Sequence, residues 1–256
     1  MEQALNDQFA QWLETVPGRY VRSWEQAQVD AVVANTFGYH AIQIGLPHWN
    51  LLQASRVCFN ACTAQAGVQA GGRDNLVRAE PEQMPFDTQS IDLLVLPHVL
   101  ESACDPHQVL REAERVLVPE GRIVFTGFNP WSLWGLHERI PGLERGTPIL
   151  PGDLISATRL RDWLKLLSFD VEDTRLGCYA PLCRQQAWLQ RWAWMEDSGA
   201  RWWGFAGAVY VVSAVKRMPA LRLVGPNWKK SRRRMRRAVV VTGRAADQGM
   251  TSVNRP

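Results

Sequence analysis

The sequence has few cysteines, no long apolar stretch and no recognisable export signal. Its five cysteines among 256 residues are an odd number without the spacing of a disulfide framework, which indicates reduced thiols in a cytosol. They are Cys58, Cys62, Cys104, Cys178 and Cys183. No uninterrupted apolar run approaches the roughly 20 residues of a membrane span. The first residues lack the charged start, apolar centre and cleavage site of a signal peptide. We therefore expect a cytoplasmic protein without a transmembrane segment.

Basic residues are concentrated in one short run. Seven of the 29 lysines and arginines lie in residues 229–237, and the remaining 22 stand against 25 acidic residues, so the rest of the chain has a net charge of about −3. A mildly acidic body argues against a nucleic-acid-binding face on it. Residues 219–256 are predicted to be a disordered tail. The tail either contacts nucleic acid or an anionic surface, or is simply solvated. Its clustered basic residues are Lys229, Lys230, Arg232, Arg233, Arg234, Arg236 and Arg237.

The body contains a strand–helix–strand unit. Residues 91–96 form a short apolar run, typical of a strand buried on both faces. Asp105 and Pro106 then provide the cap and the first position of a helix, in which apolar residues recur at helical spacing. Residues 122–125 are a second apolar run with β-branched side chains. We predict a βαβ unit with two parallel strands and a right-handed crossover.

Two pieces of sequence around this unit resemble those of the class I S-adenosylmethionine (SAM)-dependent methyltransferases, most closely the type 11 group. They are residues 80–93 (EPEQMPFDTQSIDL) and 110–123 (LREAERVLVPEGRI), with His98 between them. The resemblance covers residues 39–128. It implies an α/β fold, in which a Rossmann-like doubly wound sheet of about seven strands is mostly parallel, with one antiparallel strand and helices on both faces.

We accordingly divide the chain into three parts. They are an N-terminal helical segment (1–38), a methyltransferase-like domain (39–218) and the basic tail (219–256). In methyltransferases of this type, leading helices often lie across the cofactor site, although simple packing helices are an equal alternative here.

The resemblance also implies residues that bind SAM. In the family, the turn after the first strand is glycine-rich and lets backbone N–H groups approach the amino-acid end of SAM. Here that turn begins at Gly45 and continues through Pro47, which has no N–H to donate. The family usually ends the second strand, which we place at residues 56–59, with an acid that binds the ribose, and Asn60 stands nearest that position. Asn60 is alternatively an ordinary turn residue.

Two further cofactor contacts are implied at the ends of the third and fourth strands. Glu80, followed by Pro81, stands where the family has the acid that accepts from the adenine amino group; the alternative is a solvated loop carboxylate. His98 follows the fourth strand, at the edge of the sheet where ligands bind in such folds.

Catalytic and substrate-binding candidates lie on the same edge. If the reaction needs a base, His98 is the first candidate and His137 the second. The aromatic loop after the fifth strand supplies Asn129, Trp131 and Trp134 as candidate substrate contacts. Alternatively, the two tryptophans pack as a lid over the core.

No metal site is expected. His98, Glu101, Cys104 and His107 are spaced by three residues, as ligands on one helix face would be. Prolines divide this segment into a strand end, a turn and a new helix, so the spacing does not bring them together.

The flanking segments complete the predicted fold. Residues 2–16 have the apolar stripe of a helix that Pro17 and Gly18 end, and residues 24–36 form a second helix. Asp153 caps or precedes a helix, and residues 169–176 alternate as the sixth strand. Residues 185–197 are predicted to be one tryptophan-rich helix, with Trp188, Trp192 and Met195 on a face that is buried or forms a platform for a flat substrate or a membrane. Residues 205–216 form the last strand, antiparallel beside the fifth.

Through this resemblance, the sequence predicts a methyltransferase that transfers a methyl group from SAM to an unidentified small-molecule acceptor. The alternative is an inactive binding or scaffold protein that retains the fold and contacts nucleic acid through the tail; the altered turn after Gly45 favours it, whereas Glu80 and the intact βαβ unit favour the enzyme. A nucleotide-binding reductase is disfavoured, because no Gly-x-Gly-x-x-Gly follows a predicted strand.

Overall fold

The protein is an α/β sandwich with one seven-stranded sheet. The structure, a computed structural model, describes residues 2–65, 75–139, 154–182, 185–192 and 194–218. Within them the elements, in chain order, are α1 (Glu2–Leu13), α2 (Val16–Val33), β1 (His40–Ile44), β2 (Phe59–Ala64), β3 (Leu76–Arg78), β4 (Ile91–Pro97), α3 (Val99–Ser102), α4 (Pro106–Val116), β5 (Leu117–Phe128), α5 (Leu133–Arg139), α6 (Ala157–Leu166), β6 (Phe169–Gly177), α7 (Gln186–Arg191), α8 (Trp194–Trp202) and β7 (Val209–Lys216). None of these helices is long and apolar enough to cross a membrane.

The sheet has the strand order β3-β2-β1-β4-β5-β7-β6. Neighbours from β3 to β5 pair in parallel, whereas β7 lies antiparallel between β5 and β6. The order reverses between β1 and β4, so a crevice opens there at the carboxyl ends of the strands, the usual ligand position in doubly wound sheets. The predicted sheet, with its single antiparallel strand, is confirmed.

The predicted βαβ unit is confirmed in β4, α4 and β5. The side chain of Asp105 caps α4 by accepting from the backbone N–H groups of His107, at 2.9 Å, and Gln108, at 3.1 Å. Pro106 occupies the first turn, where its missing N–H removes no hydrogen bond. The first free N–H groups of α4 thereby have an acceptor. The apolar stripe of α4 is fully buried against the sheet.

Both faces of the sheet are covered. Along β4, Leu94 and Leu96 face the core that α4 and α6 share, while Leu93 and Val95 face a second core built with α1 and α2. Side chains of a strand alternate between faces, so a continuous apolar run is what a strand buried on both sides requires.

The N-terminal helices differ from the prediction at one point. Pro17 and Gly18 do not end α1 but lie in the first turn of α2, which Thr15 caps by accepting from the N–H of Gly18. Proline is suited to a first turn. A Cβ on Gly18 would lie 2.0 Å from the carbonyl oxygen of Trp12, so glycine permits α2 to pack directly on the end of α1.

Two later helices refine the prediction. Ser156 caps α6, which is compatible with Asp153 preceding the helix, the second of its two predicted roles; Asp153 itself lies outside the described residues. The single tryptophan-rich helix predicted for residues 185–197 is two helices, α7 and α8; the side chain of Trp188 lies outside the description. The basic tail, residues 219–256, also lies outside it, so the proposed division of the chain and the contact with nucleic acid stay predictions.

Candidate functional site

A cleft opens at the carboxyl edge of the sheet, over β1, β2 and β4. It encloses about 860 Å³ of empty space, part of which is open to solvent. Its floor is formed by strand ends and the turn after β1, and its roof by α1 with one side chain from α2. The leading helices therefore lie across the site, as one of the two interpretations of the sequence predicted.

The turn after β1 lines the cleft with backbone. Gly45 has φ of +75°, in the left-handed region that favours glycine, and a Cβ there would meet only Val99 Cγ2, at 3.8 Å. Leu46 follows with φ of +48°, and it lines the cleft together with Pro47. Gly45 lies in the turn, as predicted, and a turn with one glycine retains an open backbone surface here.

Gln43, which the sequence analysis missed, holds this turn. Its side chain is completely buried below the turn. Its amide Nε2 lies 2.8–3.0 Å from three backbone carbonyl oxygens, those of Gly45, Leu46 and Trp49. Its Oε1 accepts from the N–H of Leu51 at 3.1 Å. One buried amide thus supplies hydrogen bonds to backbone groups of a turn that lies outside the hydrogen-bond ladder of the sheet. The sequence feature that could have indicated this role is a glutamine among the apolar residues of a strand.

The second strand lies three residues further along than predicted, which changes the assignment of Asn60. Since β2 spans Phe59–Ala64, Asn60 lies at its amino end, away from the cleft. The prediction that Asn60 contacts the ribose is therefore not supported by its position. Gln65 follows β2 and lines the cleft, and its Nε2 donates to Oε2 of Glu80 at 2.9 Å.

The segment after β3 brings Glu80 and Pro81 to the rim of the cleft. Pro81 is buried and lines it, while Glu80 is exposed beside it. The segment is held from below by Arg115 of α4, whose guanidinium donates to the carbonyl oxygens of Met84 and Phe86, each at 2.9 Å. The two sequence pieces that carry the family resemblance therefore contact each other.

His98 stands at the end of β4 between two buried glutamates. Its Nε2 lies 2.9 Å from Oε1 of Glu25 on α2, and its Nδ1 lies 3.0 Å from Oε2 of Glu101 on α3. All three side chains are at most 3% exposed. Glu101 also accepts from the backbone N–H of Phe128. The other oxygen of Glu25, Oε2, has no partner among the described residues.

The two carboxylates determine the charge of His98. Burial alone lowers the pKa of an imidazole, but the attraction of Glu25, then of Glu101, and the hydrogen bonds to both outweigh it and raise the pKa of His98 to about 10. At neutral pH the ring is an imidazolium that donates through both nitrogens. It has no lone pair with which to accept a proton, so the geometry argues against the predicted role of His98 as a base. Its ring does line the cleft, packed against Phe9 of α1 with centroids 4.8 Å apart.

The predicted substrate residues do not line the cleft. Asn129 is buried, and its amide donates to the carbonyl oxygens of Phe205, at 2.7 Å, and Gly207, at 2.9 Å, so it joins two loops. Trp134 is also buried and donates to the carbonyl oxygen of Ala180 at 2.8 Å. These hydrogen bonds occupy the amide N–H groups of Asn129 and the indole N–H of Trp134, with which a substrate would otherwise bond. Trp134 therefore matches the alternative of a packed lid, whereas Asn129, which that alternative did not include, joins two loops.

The remaining candidates lie outside the cleft as well. Trp131 is 68% exposed on the surface. His137 lies on α5, and its Nδ1 is buried without a partner among the described residues. Its role as a base stays a prediction. Within the described part of the chain, no three His, Cys, Asp or Glu side chains are grouped to hold a metal ion.

Comparison with known proteins agrees with the fold. The methyltransferase domain family of type 11 matches residues 55–125. The Escherichia coli protein YafS, described as uncharacterized, is 35% identical over 162 residues, which are 62% of this chain and 65% of YafS. A SAM-dependent methyltransferase from Thermotoga maritima superposes with a TM-score of 0.62 at 15% identity, over 84% of this chain and 97% of the other.

The same fold also occurs in the [4+2]-cyclase SpnF, with a TM-score of 0.53 at 16% identity over 76% of this chain and 80% of the other. Fold alone therefore does not determine the reaction. The resemblance to class I methyltransferases is confirmed in the domain match and the architecture.

Proposed function

We infer that this chain, which has the fold of the class I SAM-dependent methyltransferases and a matching methyltransferase domain, binds SAM in the cleft and transfers its methyl group to a small molecule. One observation carries the proposal. The turn at Gly45 presents open backbone at the carboxyl end of β1, beside the point where the strand order reverses. The cleft continues from there to Gln65 and Pro81 without interruption.

The residues present fit the parts of SAM. The turn at Gly45 would hold the amino-acid end. Gln65 would meet the ribose, since an amide can accept from one hydroxyl and donate to another. Glu80 would accept from the adenine amino group, with Pro81 against the ring. The carboxylate of Glu80 already accepts from Gln65, so the two side chains support each other. When bound, SAM supplies a methyl group made electrophilic by its sulfonium.

The contribution of the chain is to position the reactants and to exclude water. Phe9, Leu13 and Leu46 form an apolar wall of the cleft, and holding two reactants in line can supply roughly 7–11 kcal/mol at best. His98 is held as an imidazolium and therefore accepts no proton from the attacking atom. The lining also contains Glu14, which is paired with Arg22, and His48, which is exposed. We infer an acceptor whose attacking atom has a free lone pair at neutral pH, such as an unprotonated amine or a thiolate, so that no base is required.

Calorimetry with SAM and S-adenosylhomocysteine tests the binding step directly. Dissociation constants in the micromolar range are expected for the purified full chain. Absence of binding at millimolar concentrations, with the fold verified by circular dichroism, would contradict the proposal and favour a scaffold that only retains the fold. The transfer step is tested by S-adenosylhomocysteine formation with pools of small amines and thiols. Acceptors that react only after enzymatic deprotonation of a hydroxyl would contradict the inferred acceptor class.

A further inference from the structure

An ion pair between the two leading helices lines the mouth of the cleft. Nη1 of Arg22 on α2 lies 2.6 Å from Oε1 of Glu14, which follows the last residue of α1. The side chains are 35% and 67% exposed, respectively. Both residues line the cleft, and among the described lining residues Arg22 is the one lysine or arginine. The pair belongs to neither of the sequence motifs that carry the family resemblance.

The pair faces the turn after β1. Gln26 lies four residues beyond Arg22 on α2, and residues four apart share a helix face. Oε1 of Gln26 accepts from the indole Nε1 of Trp49, in the turn, at 2.7 Å. Arg22 is therefore one helical turn away from a direct contact between α2 and this turn, and its guanidinium opens onto the same cleft.

The turn itself has few hydrogen-bond donors for a ligand. The N–H of Gly45 donates to the carbonyl oxygen of Thr63 at 3.0 Å, that of Trp49 donates to Leu46 at 3.0 Å, and Pro47 has none. Of the five backbone nitrogens of residues 45–49, those of Leu46 and His48 remain as possible donors to a ligand. The carbonyl oxygens of the turn are directed to Gln43. A carboxylate held by this turn therefore meets few backbone donors, and charged donors from another element would complete its hydrogen bonds.

We propose that Glu14 and Arg22 together bind the zwitterionic amino-acid end of SAM, a role that rests on the proposed function. Arg22 donates to the carboxylate of the ligand, because its planar fork of N–H groups matches a carboxylate. Glu14 accepts from the ammonium group. An exposed ion pair is weakly held, so it opens readily to take in a second pair of opposite charges. In this arrangement each of the four charges lies beside charges of the opposite sign. Side chains from the leading helices replace the hydrogen-bond donors that the turn lacks.

The test compares two ligands that differ only at this end. S-adenosylhomocysteine carries the zwitterion, whereas 5′-methylthioadenosine has the same nucleoside and thioether without it. Arg22→Gln is expected to weaken S-adenosylhomocysteine about tenfold or more and to change 5′-methylthioadenosine less than about twofold, since the lost contacts are charge-assisted. Glu14→Gln is expected to act in the same direction, and Arg22→Lys to retain part of the affinity.

Arg175→Gln is the matched control. Arg175 is exposed and donates to Gln28 on α2, outside the cleft, so its replacement should leave both affinities unchanged. Equal weakening of both ligands by Arg22→Gln, or no weakening of either, would overturn the assignment. Wild-type protein that binds neither ligand would instead refute the proposed function. Since Glu14 is mostly exposed, Glu14→Gln tests the pair even if a substitution of Arg22 unfolds the protein.

Discussion

Glu25 and His98 lie 73 positions apart in the sequence and meet in the core, with Oε1 of the glutamate 2.9 Å from Nε2 of the imidazole. Neither side chain is more than 2% exposed. With Glu101 on the other nitrogen, the ring joins α2 and α3 through a cation between two carboxylates. The hydrogen bonds from both ring nitrogens compensate for part of the hydration that this buried charge cluster loses.

This cluster predicts that stability falls in alkaline solution. The pKa of His98 is about 10 in the folded protein and near 6.5 when exposed, so the bound proton stabilises the fold fully below pH 6.5. That contribution is lost progressively as the pH rises from 6.5 through 10. We expect the free energy of unfolding to fall by at most about 1.4 kcal/mol per pH unit in this window. Urea denaturation at a series of pH values measures it.

Two variants separate His98 from other causes of alkaline destabilisation. His98→Gln should lack the slope, while His48→Gln, which changes an exposed histidine, should retain it. An identical slope in His98→Gln would contradict the assignment. The ring can also be observed directly, because nuclear magnetic resonance should find His98 doubly protonated at neutral pH.

Gln43 is predicted to stabilise both the fold and the turn. Gln43→Met fills a similar volume but leaves three carbonyl oxygens and one N–H without their buried partner. We expect the free energy of unfolding to fall by about 2–4 kcal/mol, with weaker SAM binding. Urea denaturation and calorimetry measure the two effects. Gln53→Met, at an exposed glutamine, is the control and should change neither.

Glu80→Ala is predicted to weaken SAM binding at least several-fold, because it would remove the acceptor that we propose for the adenine amino group. Glu80 is exposed, so the variant should fold normally. Asp87→Ala changes an exposed acid of the same segment outside the cleft and should bind like the wild type. Unchanged affinity in Glu80→Ala, measured by calorimetry, would remove Glu80 from the site.

Deletion of residues 219–256 is predicted to leave SAM binding intact, since the sequence places these residues in a basic tail outside the methyltransferase-like domain. Calorimetry of the truncated and full-length chains compares the two directly. A shortened chain that folds but binds SAM more weakly would show that the tail forms part of the site.

The βαβ unit could be predicted because its signals are local. A strand buried on both faces is a continuous apolar run, and Asp105 with Pro106 marks the start of α4 within two residues. The second strand was misplaced because its buried residues include small Ala61, Cys62 and Ala64, which resemble a loop more than the bulkier residues 56–59 do. A shift of three residues was enough to put Asn60 at the wrong end.

The candidate site was predicted only where one segment supplies it. Gly45, Glu80 and Pro81 follow strand ends and could be assigned from the family resemblance. Arg22 reaches the cleft and Glu25 reaches His98 from a helix that precedes the whole sheet, and no spacing in the sequence indicates such contacts. The charge of His98 likewise depends on partners from two helices, so its protonation could not be inferred from its position alone.

We expect the bridge between Glu25 and His98 to limit how a ligand enters and leaves the cleft. Displacing α2 would separate Glu25 from the imidazolium of His98 inside the core. By contrast, α1 contacts His98 through the aromatic ring of Phe9. We expect α2 to stay in place during turnover and α1 to move. The residence time of SAM would then be governed by how often a single short helix lifts, and product exchange should quicken when the packing of Phe9 is reduced.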